Sequence, residues 1–309
     1  MPYILTPGCT GPNGETLALA VAEDGSIVVQ DASEITESLV WSLIYDIPSG
    51  NFAMVNADSV AGGSPAVLGL QSEGGATTPL TLTTLDSGGL AAAILWDVAA
   101  GGTALAVRSG VSTSLNLNVA GTGPYPPGSA VIAYDGWGGG QPNEIWTFEQ
   151  MGVGDYPWNY TFAPENAPGT LLTANPEDAG GQLTIEPPNG GDAEAGPAQL
   201  WAANYFIAGT TAVGVILSNE ELSMVMRTTP GGGAVFAVDP TDVDAWSTWV
   251  VGPAPDPQAY RLGPAGNPVL ALNVSGGGSA PGTGVITYGW QGGAENEQWV
   301  PTFVPHEVT

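Results

Sequence analysis

Six tryptophans recur at a near-constant interval along the 309-residue chain. Trp41, Trp96, Trp146, Trp201, Trp249 and Trp299 close the segments LVW, ILW, EIW, QLW, STW and EQW, roughly fifty residues apart. A repeat of that length is one supersecondary unit that cannot bury its apolar face alone, so it must close against copies of itself. The repeat constrains the fold before any local propensity is considered.

The six units are not equivalent. Leu115–Trp146 reads LNLNVAGTGPYPPGSAVIAYDGWGGGQPNEIW, and Leu270–Trp299 reads LALNVSGGGSAPGTGVITYGWQGGAENEQW. Both run Leu-x-Leu-Asn-Val, a Gly/Ser/Pro turn, a β-branched pair leading to a tyrosine, a tryptophan, paired glycines and Asn-Glu-x-Trp. The third unit matches the sixth better than either matches its neighbours, which points to a doubled three-unit module. The halves are expected at residues 1–152 and 153–309, each with two degenerate units followed by a better-preserved one. Near the junction, Tyr156, Trp158, Tyr160 and Phe162 alternate with Pro157, Asn159 and Thr161, the pattern of a half-buried first strand.

Gly 46 and Pro 27 are scattered in turns between apolar segments, and 43% of the chain is hydrophobic. That composition suits many short strands with tight loops, an all-β chain long enough for two cores. A six-bladed propeller would also have units of this size. The three-plus-three hierarchy and the tryptophan at the end of each unit favour two threefold modules instead.

The x-x-Trp tail, with paired glycines and an asparagine before it in the two best units, resembles the QxW repeat of ricin B-type lectins. The glutamine itself stands only at Gln199; Glu144 and Glu297 take its place in EIW and EQW. Three such repeats make one β-trefoil in that family, so the resemblance implies two tandem β-trefoil domains. It also implies a sugar site, with an aspartate on one strand, an aromatic on the next and an asparagine before the tail. Carried over, the aspartate position is Asn118 and Asn273, the aromatic Tyr134 and Tyr288, and the second amide Asn143 and Asn296. Trp137 and Trp290 could form a second wall. This constellation fits a pyranose, which presents hydroxyls on its rim and a C–H patch on one face. Asparagine lacks the charge that strengthens a carboxylate–hydroxyl bond. The plainer alternatives are that the tyrosines pack between units and the asparagines only tie turns. The six tail tryptophans are expected in the core, and Glu144 and Glu297 beneath the loop.

The resemblance implies a non-catalytic lectin with one galactose- or N-acetylgalactosamine-type site per half, binding glycans or glycoconjugates in agglutination or defence. A β-trefoil protease inhibitor, a protein-binding scaffold without sugar binding and the lectin part of a larger toxin assembly are the rivals. Catalysis has little to work with. His306 is the one histidine and Cys9 the one cysteine, so no zinc ligand set or disulfide is available and no cofactor is expected. Asp239, Asp242 and Asp244 lack the spacing of a calcium loop and read as an acidic turn.

Asp+Glu number 30 against Lys+Arg 3, a formal charge of −27, with Arg108, Arg227 and Arg261 the basic residues. Nucleic acid and anionic membrane surfaces are therefore excluded as partners, and trypsin-like proteases have few places to cut. The start MPYILTPGCTG has no basic residue and no long apolar run, so the expected location is cytoplasmic, or outside the cell by a route without a signal peptide. Ala195 to Asn219 is uncharged and long enough for a membrane span, but Gly209-Thr210-Thr211 reads as a turn between two strands. Asn159-Tyr-Thr and Asn273-Val-Ser are glycosylation sequons.

Overall fold

The computed structural model describes residues 2–61, 65–71, 77–84, 94–101, 104–110, 112, 114–136, 140–151, 158–175, 181–190, 194–208, 211–219, 224–239 and 243–305. Contacts group the chain into two units, the first around Met1–Gly154 and the second around Asp155–Phe206 and Val213–His306. The expected boundary at 152/153 falls outside the described residues, as does Tyr156.

Every fifty-residue repeat yields four strands. In the first half these are β1 (Pro2–Pro7), β2 (Leu17–Val21), β3 (Ile27–Asp31) and β4 (Val40–Asp46); then β5 (Asn51–Asn56), β6 (Ala66–Leu70), β7 (Thr77–Thr84) and β8 (Leu95–Gly101); then β9 (Ala104–Ser109), β10 (Leu115–Val119), β11 (Val131–Asp135) and β12 (Trp146–Gln150). The outer strands of each repeat close a six-stranded antiparallel barrel in the cyclic order β1, β4, β5, β8, β9, β12. The inner strands form the hairpins β2–β3, β6–β7 and β10–β11. The third hairpin pairs with the second through β7 and meets the first at the Val28–Ala130 bridge. A barrel with three hairpins gathered in this way is a β-trefoil.

The second half repeats the plan with β13 (Trp158–Pro164), β14 (Leu171–Thr173), β15 (Thr184–Glu186) and β16 (Trp201–Ala208); β17 (Thr211–Asn219), β18 (Met224–Thr228), β19 (Gly233–Val238) and β20 (Trp249–Pro253); and β21 (Tyr260–Pro264), β22 (Leu270–Val274), β23 (Thr283–Gly289) and β24 (Trp299–Pro305). Backbone ladders join β16–β13–β24–β21–β20–β17. Asn204 Nδ2 to Ser218 Oγ at 2.9 Å and Asn219 Nδ2 to the Leu200 carbonyl at 3.0 Å tie β16 to β17. The hairpins β14–β15, β18–β19 and β22–β23 gather on β23. Both halves are β-trefoils, not sets of propeller blades.

The tail tryptophans explain why the repeat needs its fixed ending. All six are fully buried. Each indole Nε1–H donates to a main-chain carbonyl on the first hairpin strand of its own repeat: Leu19, Leu68, Leu117, Leu172, Met226 and Leu272, at 2.9 to 3.0 Å. Tryptophan thus fills the core while its one polar atom ties a hairpin to a barrel strand. In the first, fourth and sixth repeats a single 3-10 turn (Glu37–Leu39, Pro197–Gln199, Glu295–Glu297) delivers the chain to this position.

One local expectation changes. Tyr160 and Phe162 on β13 are buried, but so are Asn159 and Thr161, so the strand is covered on both faces instead of half-exposed. The one α-helix among the described residues, Ala57–Ala61, is too short to leave an amphipathic stripe in the sequence. The uncharged stretch 195–219 forms β16 and β17, while Gly209 and Thr210 lie outside the described residues. Among the described residues no helix is long and apolar enough to cross a membrane. Cys9 is buried, which pushes its thiol up to about 11.

Two outcomes follow. Trp249→Phe leaves the Met226 carbonyl without its donor and opens a small void, so urea denaturation should show a loss of about 2–3 kcal/mol. Arg108, Arg227 and Arg261 all lie within strands, and the first two are ion-paired with Asp97 and Asp244. Trypsin should leave the folded chain intact, while the urea-denatured chain is cut at all three arginines, as read by mass spectrometry of the fragments.

Candidate functional site

In the third repeat, β10 and β11 pair Asn116 with Tyr134, Leu117 with Ala133 and Asn118 with Ile132. Directly opposed residues share a face and successive ones alternate. Leu115, Leu117, Val119, Val131 and Ala133 therefore face the core, and Asn118 and Tyr134 share the other face at diagonal rungs. The sixth repeat has the same register, with Ala271 opposite Tyr288 and Asn273 opposite Ile286. An identical spacing of asparagine and tyrosine in both halves thus becomes an identical juxtaposition.

The tyrosines are not sealed between repeats. Tyr134 is 37% and Tyr288 58% exposed, among the most exposed large apolar side chains described. The asparagines are the reverse, at 5% for Asn118 and 4% for Asn273. Asn143 Nδ2 donates to Asn118 Oδ1 at 3.0 Å and to the Val119 carbonyl at 3.1 Å. Asn296 Nδ2 does the same with Asn273 Oδ1 at 2.7 Å and the Val274 carbonyl at 3.1 Å. The main-chain carbonyl fixes which end of the upper amide points inward, so the lower amide must present its oxygen to it. What is left for a ligand is the lower NH2 as donor and the upper carbonyl oxygen as acceptor. An aspartate at the lower position would still offer an acceptor. The asparagine turns that group into a donor, a change of polarity as well as of charge.

Trp290 is half-buried at the end of β23; its backbone N–H donates to the Val269 carbonyl at 3.0 Å, and the Arg261 guanidinium lies 5.1 Å from its ring centre. Trp137 lies outside the described residues. The tail glutamate supports its loop, as expected. Glu297 is fully buried, and its carboxylate accepts from the backbone N–H groups of Gln291, Gly293 and Ala294 at 2.9 to 3.0 Å. Gln199 serves a mixed set: its Oε1 accepts from Asn189 N and Gly196 N, while its Nε2 donates to Thr173 Oγ1 and the Pro187 carbonyl. A carboxylate suits a position where every partner is a donor; an amide is needed where donors and acceptors mix. Glu144 is buried at the same place in the third repeat.

Two of the degenerate repeats, the fourth and the first, keep a hollow without the ring. In the fourth, Thr173 stands where Asn273 does and Glu186 where Tyr288 does, lining a cavity of about 430 Å³ with Asn175 and Asn189. In the first, Gln30 takes the tyrosine's place in a cleft of about 690 Å³ beside Glu23, Glu37 and Asp58. No local sequence motif marks these hollows; they follow from the threefold symmetry of the barrel. In the fifth repeat, Arg227 replaces the lower asparagine and pairs with Asp244 at 2.6 Å. The Arg227 bond holds the Asp244 carboxyl below its usual range, helped by the Trp246 and Ser247 N–H groups. Asp244 is thereby an ion-pair partner and turn cap, while Asp242 lies outside the described residues. Among the described residues no three acidic, histidine or cysteine groups come close enough to hold a metal ion. Both sequon asparagines, Asn159 and Asn273, are buried in the folded chain.

No family model matches the chain, and no curated protein does. Among solved structures it is similar to a mosquitocidal holotoxin, at 12% identity and a TM-score of 0.39, over 98% of this chain and 34% of that one. The chain thus spans about a third of the holotoxin's length. A Macrolepiota procera ricin B-like lectin in complex with lactose matches at 22% identity and a TM-score of 0.36, over 50% of this chain and 98% of that one. An agglutinin from Abrus precatorius matches at 12% and 0.36, over 97% and 96%. At these scores the β-trefoil assignment stands on the strand pairing itself.

The donor-and-acceptor argument has a direct test. Gln199→Glu sets a carboxylate against the Pro187 carbonyl and should cost about 3 kcal/mol in urea denaturation at neutral pH. Burial against an acceptor raises that carboxyl's pKa, and its protonated form donates again, so the deficit should shrink as the pH is lowered.

Proposed function

We propose that the chain is a non-catalytic, carbohydrate-binding lectin with one glycan site in the closing repeat of each half. The observation that carries this reading is the exposed tyrosine beside an ordered amide pair on one hairpin face, present in both halves with the same register. The ring supplies an apolar platform for a pyranose face, and the amide donor and acceptor take its hydroxyls. Amides neither give up nor take protons near neutral pH, so this site binds without assisting bond cleavage. Galactose- and N-acetylgalactosamine-type sugars are the first candidates.

Each shallow site is expected to bind a sugar with Kd on the order of 0.1–1 mM. Two sites per chain raise the effective affinity for a glycan-dense surface and permit cross-linking. Agglutination, as in a defence lectin, is the activity such bivalence serves.

A glycan array followed by agglutination assays tests this. Either Tyr134→Ala or Tyr288→Ala alone should abolish agglutination while leaving half of the sugar sites in calorimetry. The double variant should bind at least tenfold more weakly, with its melting temperature nearly unchanged. A flat array together with protease inhibition would replace the lectin reading with an inhibitor.

A further inference from the structure

The two closing repeats diverge one rung beyond the tyrosine. In the sixth repeat, the bond from the Trp290 N–H to the Val269 carbonyl continues the β22–β23 ladder past the Ala271–Tyr288 rung. Trp290 therefore shares the outer face with Tyr288 and Asn273, two residues along the same strand. Val269 is 66% exposed, so this end of the face is open and apolar. Successive side chains on one face lie on the order of 7 Å apart, close to the step between neighbouring rings of an oligosaccharide.

Trp290 is also held in place. Arg261 stands on β21, the barrel strand before the hairpin, and its guanidinium donates to the carbonyls of Pro268 and Leu270 in the connecting turn. The indole lies over that guanidinium, so a barrel strand anchors the ring by a cation–π contact. Among the described residues the third repeat shows neither part. Gly136 takes the place of Trp290, and a Cβ there would meet the Tyr134 ring at 3.1 Å, so the tyrosine lies back over that rung. Its φ of 138° also disfavours a side chain. Register places Ala106 where Arg261 stands.

We infer that the site of the sixth repeat has two platforms, Tyr288 for a terminal sugar and Trp290 for the next ring. Its ligand is a disaccharide or longer glycan, and Arg261 is a positioning residue for the second platform. This rests on the carbohydrate reading above.

Calorimetry on the full chain tests it, with galactose, N-acetylgalactosamine, glucose and N-acetylglucosamine against lactose, N-acetyllactosamine, cellobiose and chitobiose. In Tyr134→Ala, which reports the sixth repeat, the preferred disaccharide should bind about tenfold tighter than its terminal monosaccharide. Adding Trp290→Ala to Tyr134→Ala should remove the disaccharide gain and change monosaccharide affinity less than twofold, while Trp290→Phe keeps part of the gain and checks folding. Arg261→Gln should reduce the gain and Arg261→Lys restore part of it. Equal losses for both sugar sizes, or no disaccharide gain, overturn the second platform and leave the lectin reading standing. No binding of any saccharide by the unsubstituted protein removes both.

Discussion

The bond between each tail indole and a hairpin carbonyl is the constraint on which the rest depends. The opening barrel strand of a repeat can ladder directly onto its hairpin, as β5 does with β6, β9 with β10 and β17 with β18, but among the described pairings the closing barrel strand shares no ladder with the hairpin before it. The tryptophan supplies the missing link. It fills the space between them and satisfies a carbonyl that would otherwise be buried without a partner. Because the acceptor is always on the first hairpin strand, each repetition of this bond places the following residue at the same point of the surface. That residue is Asn118 in the third repeat, Asn273 in the sixth, Thr173 in the fourth and Arg227 in the fifth. The core contact therefore defines the candidate site.

A second layer of order comes from matching donors to acceptors. The loop under Glu297 offers only N–H groups, and a carboxylate meets them. The surroundings of Gln199 mix donors and carbonyls, and an amide is required there. The same logic governs the pair above: once the upper asparagine bonds a backbone carbonyl, the lower one must turn its oxygen inward and its NH2 toward any ligand. Glutamine-to-glutamate and aspartate-to-asparagine differences look alike in a sequence, yet one preserves a local network and the other reverses what the site presents.

Much of this was legible in the chain because the informative residues have no substitute. Only tryptophan combines that volume with a single donor, so its period survives where the neighbouring residues have changed. The Leu-x-Leu-Asn-Val and β-branched-Tyr segments carried the strand alternation that sets Asn118 and Tyr134 on one face. Other features depend on long-range contacts. The burial of Asn118 and Asn273 comes from residues some two dozen positions later. The cover on both faces of β13 does not show in its alternating pattern, and the hollows of the first and fourth repeats are made by symmetry, with no motif of their own. The role of Gly136 emerges only once the Tyr134 ring is in place.

The six indoles also share one environment, dry, fully enclosed and bonded to a carbonyl. Their fluorescence should overlap at short wavelength and be shielded from dissolved quenchers. These six are a majority of the chain's 10 tryptophans, so the emission as a whole reports the state of the two barrels. Trp290, open on the outside and stacked on a cation, belongs to the minority whose emission solvent or a bound molecule can reach. The protein therefore carries two optical signals of separate origin, one from the enclosed indoles of the barrels and one from indoles such as Trp290 that solvent reaches.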